Sequence, residues 1–334
     1  MTQKVRWGIL STASIAQNHV IPAFMRADNT EVAAISSLSG RAEEVAEALG
    51  IEKAYDSYHE VLDDDTIDAV YIPLPNSLHK EWAIRAAYKK KHILVEKPIA
   101  LSSTDVLEIK QACLDNDVIL MEAFMYMLHP QHQHVKALIE EGAIGEVKHF
   151  ESTFTFYLTD RDGNIRMEKD LGGGSLYDVG SYNVHAMRYL LDEEPISVKS
   201  HAVIDEASGV DLTSVSYYTF KSGITATLTS SFDQFHQQAY KIVGTEGMIT
   251  VPFAYRPDNH GGLGEVILST NTYTKTESFM NDLYRDEAEH ISYAILNNQE
   301  PINTLTNSYQ NMRVLERTTE AFTTNQTITI DDDE

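Results

Sequence analysis

A single cysteine, Cys113, among 334 residues rules out an internal disulfide and any multi-cysteine zinc cluster. It falls in a segment of helical periodicity, where a buried apolar role is expected. Basic residues are also scarce: 26 Lys and Arg stand against 50 Asp and Glu, for a net charge of −24. Nucleic acid and anionic membrane are excluded as partners, because both need a basic face to release counterions or meet headgroups. No apolar run approaches the roughly 18 residues of a membrane span. Residues 1–10 carry no long apolar stretch ahead of a small-residue cleavage site, so a soluble, cytoplasmic protein is expected. Low-complexity sequence is confined to the acidic tail 331–334, expected to be solvated and frayed. What is present is globular in composition, 43% apolar and 23% charged, and at roughly 100 to 200 residues per domain it makes two domains.

The texture of the chain changes near residue 124. Before that point, short apolar runs at 5–10, 31–36, 69–72, 92–96 and 118–122 alternate with amphipathic stretches at 15–26, 41–49, 79–89 and 104–116. Ser102 and Ser103 are the candidate N-caps of the last stretch. Strands that alternate with helices call for right-handed crossovers and a parallel sheet covered on both faces. After a helix at 131–140 come β-rich segments at 147–156, 198–204, 213–220, 224–231, 239–243, 248–251 and 266–268, with a Ser222-Gly223 turn shaping one hairpin. The expected fold is α/β. A Rossmann dinucleotide-binding domain occupies 1–124, and an α+β domain with a large, mostly antiparallel open sheet occupies 125–334.

The glycines of a dinucleotide fingerprint are missing where the first strand meets the first helix. In place of G-x-G-x-x-G stands Ser11-x-Ala13-x-x-Ala16, within Ser11-Thr12-Ala13-Ser14-Ile15-Ala16. Small residues still let the backbone approach a pyrophosphate, and the helix N-terminus still offers unpaired N–H groups. Equally absent is the carboxylate that would hold a ribose 2′-hydroxyl at the end of the second strand. Ser36-Ser37-Leu38-Ser39-Gly40-Arg41 occupies that place, so hydroxyls and the Arg41 guanidinium suit a 2′-phosphate. NADP is the expected cofactor, with NAD as the alternative.

The strand ending Ile93-Leu94-Val95-Glu96 delivers Lys97-Pro98 to the carboxyl edge of the sheet, where open α/β sheets bind ligands. Four motifs then carry a resemblance. They are Pro75-Asn76-x-x-His79, Glu96-Lys97-Pro98, Met121-Glu122-Ala123-Phe124-Met125-Tyr126 with His129-Pro130, and Leu171-Gly172-Gly173-Gly174-Ser175-Leu176-Tyr177-Asp178-Val179-Gly180-Ser181-Tyr182. Together they resemble the glucose-fructose oxidoreductase, inositol dehydrogenase and rhizopine catabolism protein (Gfo/Idh/MocA) family. The last stretch is most similar to the branch containing glucose-fructose oxidoreductase, D-xylose dehydrogenase and dimeric dihydrodiol dehydrogenase.

The resemblance implies a nicotinamide at a cleft between the two domains and catalytic roles for Lys97, Asp178 and Tyr182. It places Ser11, Thr12, Ala13, Ser14, Ile15, Ser36, Ser37, Arg41, Leu74, Asn76, His79, Glu96 and Lys97 around the cofactor, and Tyr126, Arg166 and His185 near the substrate. Residue spacing agrees for the helix near 176–191. At about 100° per residue, Leu176, Val179, Met187, Leu190 and Leu191 share one face while Asp178, Tyr182, His185 and Tyr189 share the other. A merely solvated face would carry Lys or Glu instead.

The expected activity is hydride transfer between nicotinamide and a secondary alcohol or hemiacetal carbon of a sugar, polyol or cyclic diol. Tyr182 would be the general base, Lys97 its cationic assistant, and Asp178 would orient Lys97 or the substrate. A non-catalytic NADP-binding subunit would keep the fold without that triad, and a redox-assisted glycoside-cleaving relative would release an aglycone without net NADPH. No metal is expected. His132 and His134 point to different sides of a helix, and neither carboxylate nor thiolate joins them and His129. Gly261-Gly262-Leu263-Gly264 reads as a flexible loop. Val215, Tyr217 and Tyr218 beside Phe232 and Phe235 exceed what one buried sheet face holds, which predicts a homodimer through the C-terminal sheet.

Overall fold

Short, mostly apolar runs become the inner strands of a six-stranded parallel sheet. In the computed structural model, which describes residues 3–330, the chain passes through β1 (Val5–Leu10), a π turn (Ala16–Val20) leading into α1 (Ile21–Arg26), β2 (Thr30–Ser36), α2 (Ala42–Leu49), β3 (Lys53–Tyr55), α3 (Tyr58–Asp63), β4 (Ala69–Ile72), α4 (Asn76–Tyr88), β5 (His92–Glu96), α5 (Ser103–Asp115) and β6 (Leu120–Ala123). The acidic tail 331–334 lies outside the described residues. Strand order is β3-β2-β1-β4-β5-β6. The direction of winding therefore reverses between β1 and β4, and a crevice forms there outside the carboxyl ends of the strands. Trp7, Ile9, Tyr71 and Leu94 are wholly buried, as both-face coverage requires. Ser102 caps α5 by accepting from the Asp105 N–H at 3.1 Å, and burial pushes the Cys113 thiol up to about 12.

The short β3 and α3 have no counterpart in the sequence expectations, because three half-buried strand residues and six helical ones are too few to show a period.

From Tyr126 a second unit begins, with α6 (Pro130–Glu140), β7 (Val147–Tyr157), a π turn (Leu176–Gly180) continuing into α7 (Ser181–Leu191), β8 (Pro195–Ile204), β9 (Asp211–Phe220), β10 (Thr225–Ser231), β11 (Asp233–Gly244), β12 (Gly247–Val251), β13 (Leu263–Thr270) and β14 (Thr274–Met280). Two helices follow, α8 (Leu283–Asn297) and α9 (Leu305–Thr324), then β15 (Thr327–Thr329). The nine strands form one sheet, β14-β13-β12-β11-β7-β10-β9-β8-β15, antiparallel except for the β7/β10 pair. Along β9, Leu212, Ser214, Ser216, Tyr218 and Phe220 point inward while Val215 and Tyr217 are exposed, the period of two that a sheet with one covered face produces. Tyr218 is tied to α9 by a 2.8 Å contact with the Thr318 hydroxyl.

Three expectations change. Residues Asp282–Gln310 cluster with the N-terminal unit, whereas the sequence placed all of 125–334 together. Tyr218 and Phe232 are wholly buried, so of the five residues behind the dimer expectation only Val215, Tyr217 and Phe235 face outward. Leu263 and Gly264 begin β13 rather than lying in a loop, and a Cβ on Gly264 would meet the Gln131 side chain at 2.3 Å.

The three nearby histidines have separate partners. His129 Nε2 lies 3.1 Å from the Gly262 carbonyl, and His134 pairs with Glu277 at 3.0 Å. Fully buried His132 sits between the Tyr240 hydroxyl and the Ala254 carbonyl, both at 2.9 Å, an arrangement the neutral ring satisfies by accepting from one and donating to the other. Burial, with His129 nearby, pulls its pKa down to about 3. The folded state thus resists a proton that the unfolded chain takes up near 6.5. His132 therefore contributes stability fully above that value, and the contribution is lost as pH falls toward 3. Urea unfolding at about pH 7 and about pH 4.5 should show a larger loss of stability for the wild type than for His132→Gln, and equal losses would contradict this assignment.

Candidate active site

The carboxyl edge of the parallel sheet gathers the first group of candidate residues. At the end of β1, Ser11 adopts φ +132°, a conformation normally left to glycine, and it stands at the position of the fingerprint's first glycine. The helix beyond it opens as a π turn, a wide first turn common at functional sites. Thr12, Ser37, Ser39 and Arg41 form a hydrogen-bonded row across the ends of β1 and β2. Thr12 Oγ1 is 3.2 Å from Ser37 Oγ, Ser37 Oγ is 2.9 Å from Ser39 Oγ, and Arg41 Nε donates to Ser39 Oγ at 3.1 Å. The guanidinium ends this row at the exposed surface.

Ser36 does not belong to that row. It is wholly buried, and its hydroxyl donates to the Ile9 carbonyl at 3.0 Å, because the strand's alternation turns it inward. Its expected place is taken by Ser39, which the spacing Ser37-x-Ser39-x-Arg41 would have revealed as one side of a turn. Ala13, Ile15 and Asn76 are partly exposed and Ser14 is exposed, while Leu74 is buried.

Lys97 follows β5, is partly exposed, and precedes a cis peptide to Pro98. Its turn is pinned from two sides. Buried His79 lies with Nδ1 2.8 Å from the Pro98 carbonyl and Nε2 2.8 Å from the Leu74 carbonyl. Glu122 Oε1 accepts from the Ile99 N–H at 2.9 Å. His79 was expected at the cofactor. With no exposed surface it instead joins the loops after β4 and β5, and burial pulls its pKa down to about 4 against the two carbonyls, which favour the protonated ring. Glu96, next to Lys97, accepts a 2.5 Å hydrogen bond from buried Tyr71, whose phenol is held well above its ordinary range by burial and then by that carboxylate.

In the second unit, the π turn and α7 carry Asp178, Tyr182 and His185. Asp178 Oδ2 accepts from Arg166 Nε at 2.7 Å, and the carboxylate raises the pKa of the guanidinium. Arg166, expected near the substrate, is thus fixed on Asp178. The Tyr182 ring packs against Tyr126, Phe154 and Tyr255 with centroids 5.8, 5.4 and 5.6 Å away, leaving the residue 6% exposed. Tyr126 and His185, also expected near the substrate, are wholly buried, and the Tyr126 hydroxyl lies 2.6 Å from His185 Nδ1. Their polar atoms meet each other, and the Tyr126 ring also packs against Tyr182. On the polar helix face read from periodicity, Tyr182 and His185 are thus buried while Asp178 and Tyr189 are half-buried.

Residues 5–124 match the oxidoreductase family with an NAD-binding Rossmann fold, and residues 132–250 match the GFO/IDH/MocA C-terminal domain. The chain is 36% identical over 326 residues to D-xylose 1-dehydrogenase (NADP(+)) 2 of Haloferax volcanii, covering 97% of this chain and 99% of that protein. The chain belongs to the Gfo/Idh/MocA family. Within this family, trans-1,2-dihydrobenzene-1,2-diol dehydrogenase of Xenopus laevis is 30% identical, with 91% of this chain and 93% of the relative covered. A 3-ketoreductase from Actinomadura kijaniata, solved as a tyrosine-to-phenylalanine variant with TDP-benzene and NADP, superposes with a TM-score of 0.91 at 27% identity, covering 96% of this chain and 98% of that one.

Ser11 supplies a test that needs no ligand. A non-glycine residue in such a conformation costs about 1–3 kcal/mol, and the extra chain entropy of glycine returns only part of that relief. Ser11→Gly should therefore raise stability by about 1 kcal/mol in urea unfolding, and a decrease would show that Ser11 is held there by contacts worth more than the strain.

Proposed function

We propose that this member of the family is an NADP-preferring dehydrogenase or reductase, transferring hydride between nicotinamide and a secondary alcohol or hemiacetal carbon of a sugar, polyol or cyclic diol. The observation that carries the reading is the row Thr12, Ser37, Ser39, Arg41 at the end of β2, where an acidic residue would repel a 2′-phosphate. Hydroxyl donors and an exposed guanidinium fit that phosphate, and the small residues Ser11, Ala13 and Ala16 fit a pyrophosphate at the opening of the helix. The Haloferax volcanii relative, similar over nearly the whole chain, supports NADP and a sugar substrate.

The dinucleotide, when bound, accepts or donates the hydride. This chain's own residues manage the proton. In the oxidation direction the Tyr182 oxygen takes the hydroxyl proton as hydride leaves the carbon that bears this hydroxyl, and in reduction it returns the proton to the new alkoxide oxygen. Lys97 is the cationic assistant in this reading. Asp178, steadied by Arg166, accepts a hydrogen bond from a neighbouring substrate hydroxyl and fixes which one reacts. The aromatic wall of Tyr126, Phe154 and Tyr255 holds the Tyr182 ring at one angle and keeps water from its inner face.

The same reading includes a cytoplasmic protein that forms a homodimer through the outer face of the nine-stranded sheet. Val203, Val215, Tyr217 and Phe235 are exposed there, Phe235 by 86%. Light scattering of the wild type at micromolar concentration should give twice the chain mass, with Phe235→Glu shifted toward monomer. A monomeric wild type refutes the assembly.

Oxidation of D-xylose, D-glucose, an inositol and trans-1,2-dihydrobenzene-1,2-diol, followed by NADPH absorbance, tests the chemistry. Tyr182→Phe should lower kcat by about 10²-fold or more with little change in NADP affinity. Arg41→Ala should weaken NADP by about 10- to 100-fold and leave NAD nearly unchanged, from the loss of a charge-assisted contact of about 1.5–3 kcal/mol. Equal preference for the two dinucleotides in the wild type would defeat the cofactor assignment.

A further inference from the structure

The helix that carries Asp178 and Tyr182 starts against a buried carboxylate from a strand 35 residues away in sequence. Asp211, the first residue of β9 and 7% exposed, accepts from the Leu176 N–H at 2.8 Å and from the Ser175 hydroxyl at 2.7 Å, both on Oδ2. The Ser175 hydroxyl, itself wholly buried, reaches on to Ser230 Oγ on β10 at 3.1 Å. The first N–H groups of a helix have no partner within it, and its positive end favours an anion. Asp211 supplies both from outside.

The glycine run before the helix is shaped to admit that carboxylate. Gly174 has φ +110°, and a Cβ there would lie 2.2 Å from Asp211 Oδ1. Gly173 is folded back with its N–H on the Glu168 carbonyl, and the Gly174 N–H meets the Arg166 carbonyl at 2.9 Å. The turn that carries Arg166, the partner of Asp178, is thereby linked to the same helix start. Asp178 lies two residues past Leu176, and Tyr182 little more than one helical turn farther on, so a shift at Leu176 carries directly to both.

We propose that Asp211 is a positioning residue for the reaction: its carboxylate fixes the start, and so the axial placement, of the helix bearing Asp178 and Tyr182. The inference rests on the catalytic assignment of Tyr182. Burial raises the pKa of Asp211 to about 6 despite the hydrogen bonds that oppose the rise, so near neutral pH the charge is kept at a cost in stability. A residue serving packing alone would change stability when replaced and leave kcat in the folded variant as it was.

The experiment compares Asp211→Ala, Asp211→Asn, Gly174→Ala and Tyr182→Phe with the wild type, using whichever of D-xylose, D-glucose, an inositol or trans-1,2-dihydrobenzene-1,2-diol turns over fastest, together with direct titration of NADP⁺. Displacement of a reacting group by about 1 Å costs up to about 10²-fold. Asp211→Ala should accordingly lower kcat about 10- to 100-fold while the Kd for NADP⁺ stays within about twofold. Asp211→Asn keeps an oxygen to accept from the Leu176 N–H and should recover most of the loss without losing thermal stability. Gly174→Ala, which forces the carboxylate away with Asp211 present, should reproduce the defect, and it replaces Asp211→Ala in the comparison if that variant does not fold. Wild-type kcat in folded Asp211→Ala or Gly174→Ala, beside a strongly impaired Tyr182→Phe, overturns this proposal alone. Wild-type kcat in Tyr182→Phe overturns the catalytic assignment beneath it.

Discussion

Every peptide group withdrawn from water needs a partner, and at three turns beside candidate functional residues that partner is a buried polar side chain from another element. His79 on α4 holds the carbonyls of Leu74 and Pro98, Glu122 on β6 holds the Ile99 N–H, and Asp211 on β9 holds the Leu176 N–H. Each peptide group so held lies within two residues of a candidate functional position, Asn76, Lys97 or Asp178. A loop left to water would sample many conformations, and ordering it would cost conformational entropy at every turnover. Buried anchors transfer that cost to folding, where the hydrophobic cores of the two units offset it.

Charge is arranged against the molecular average. At −24 overall, the chain repels phosphates at long range. The row from Thr12 to Arg41 is a local exception, short enough that its hydroxyls and one guanidinium act by contact rather than by field. Burial is spent as selectively. It keeps the Cys113 thiol and the His132 imidazole neutral and out of chemistry, while Lys97 keeps partial exposure.

The sequence was most legible where one period ran without competition. The alternating runs up to Glu96 fall within a residue or so of the observed strands, since their side chains have only an apolar destination. Where buried faces mix polar and apolar groups the pattern fades. α8 buries Glu287 and Ser292 beside Ile291, and α9 buries Asn311, Arg313 and Thr318 beside Leu315, so neither shows a clean apolar stripe. The same mixing misled the reading of individual residues. A His in a motif and a Ser in a hydroxyl-rich strand end look alike whether they face a ligand or a backbone carbonyl, and only the turn of the chain separates His79 and Ser36 from Ser39.

By itself the sequence determined the class of fold, the absence of an internal disulfide and the residue types available to a dinucleotide and a proton, because these follow from composition, period and short-range spacing, and its motifs carried the resemblance to the family. Tertiary structure decided which of those residues face one another. Asp178 finds Arg166 across a glycine-rich turn, Tyr126 finds His185 across 59 positions, and Asp211 finds Leu176 across 35. Such pairings depend on how strands and helices pack, and a hydrogen bond selects its partner by distance and angle in space, to which separation along the chain contributes nothing.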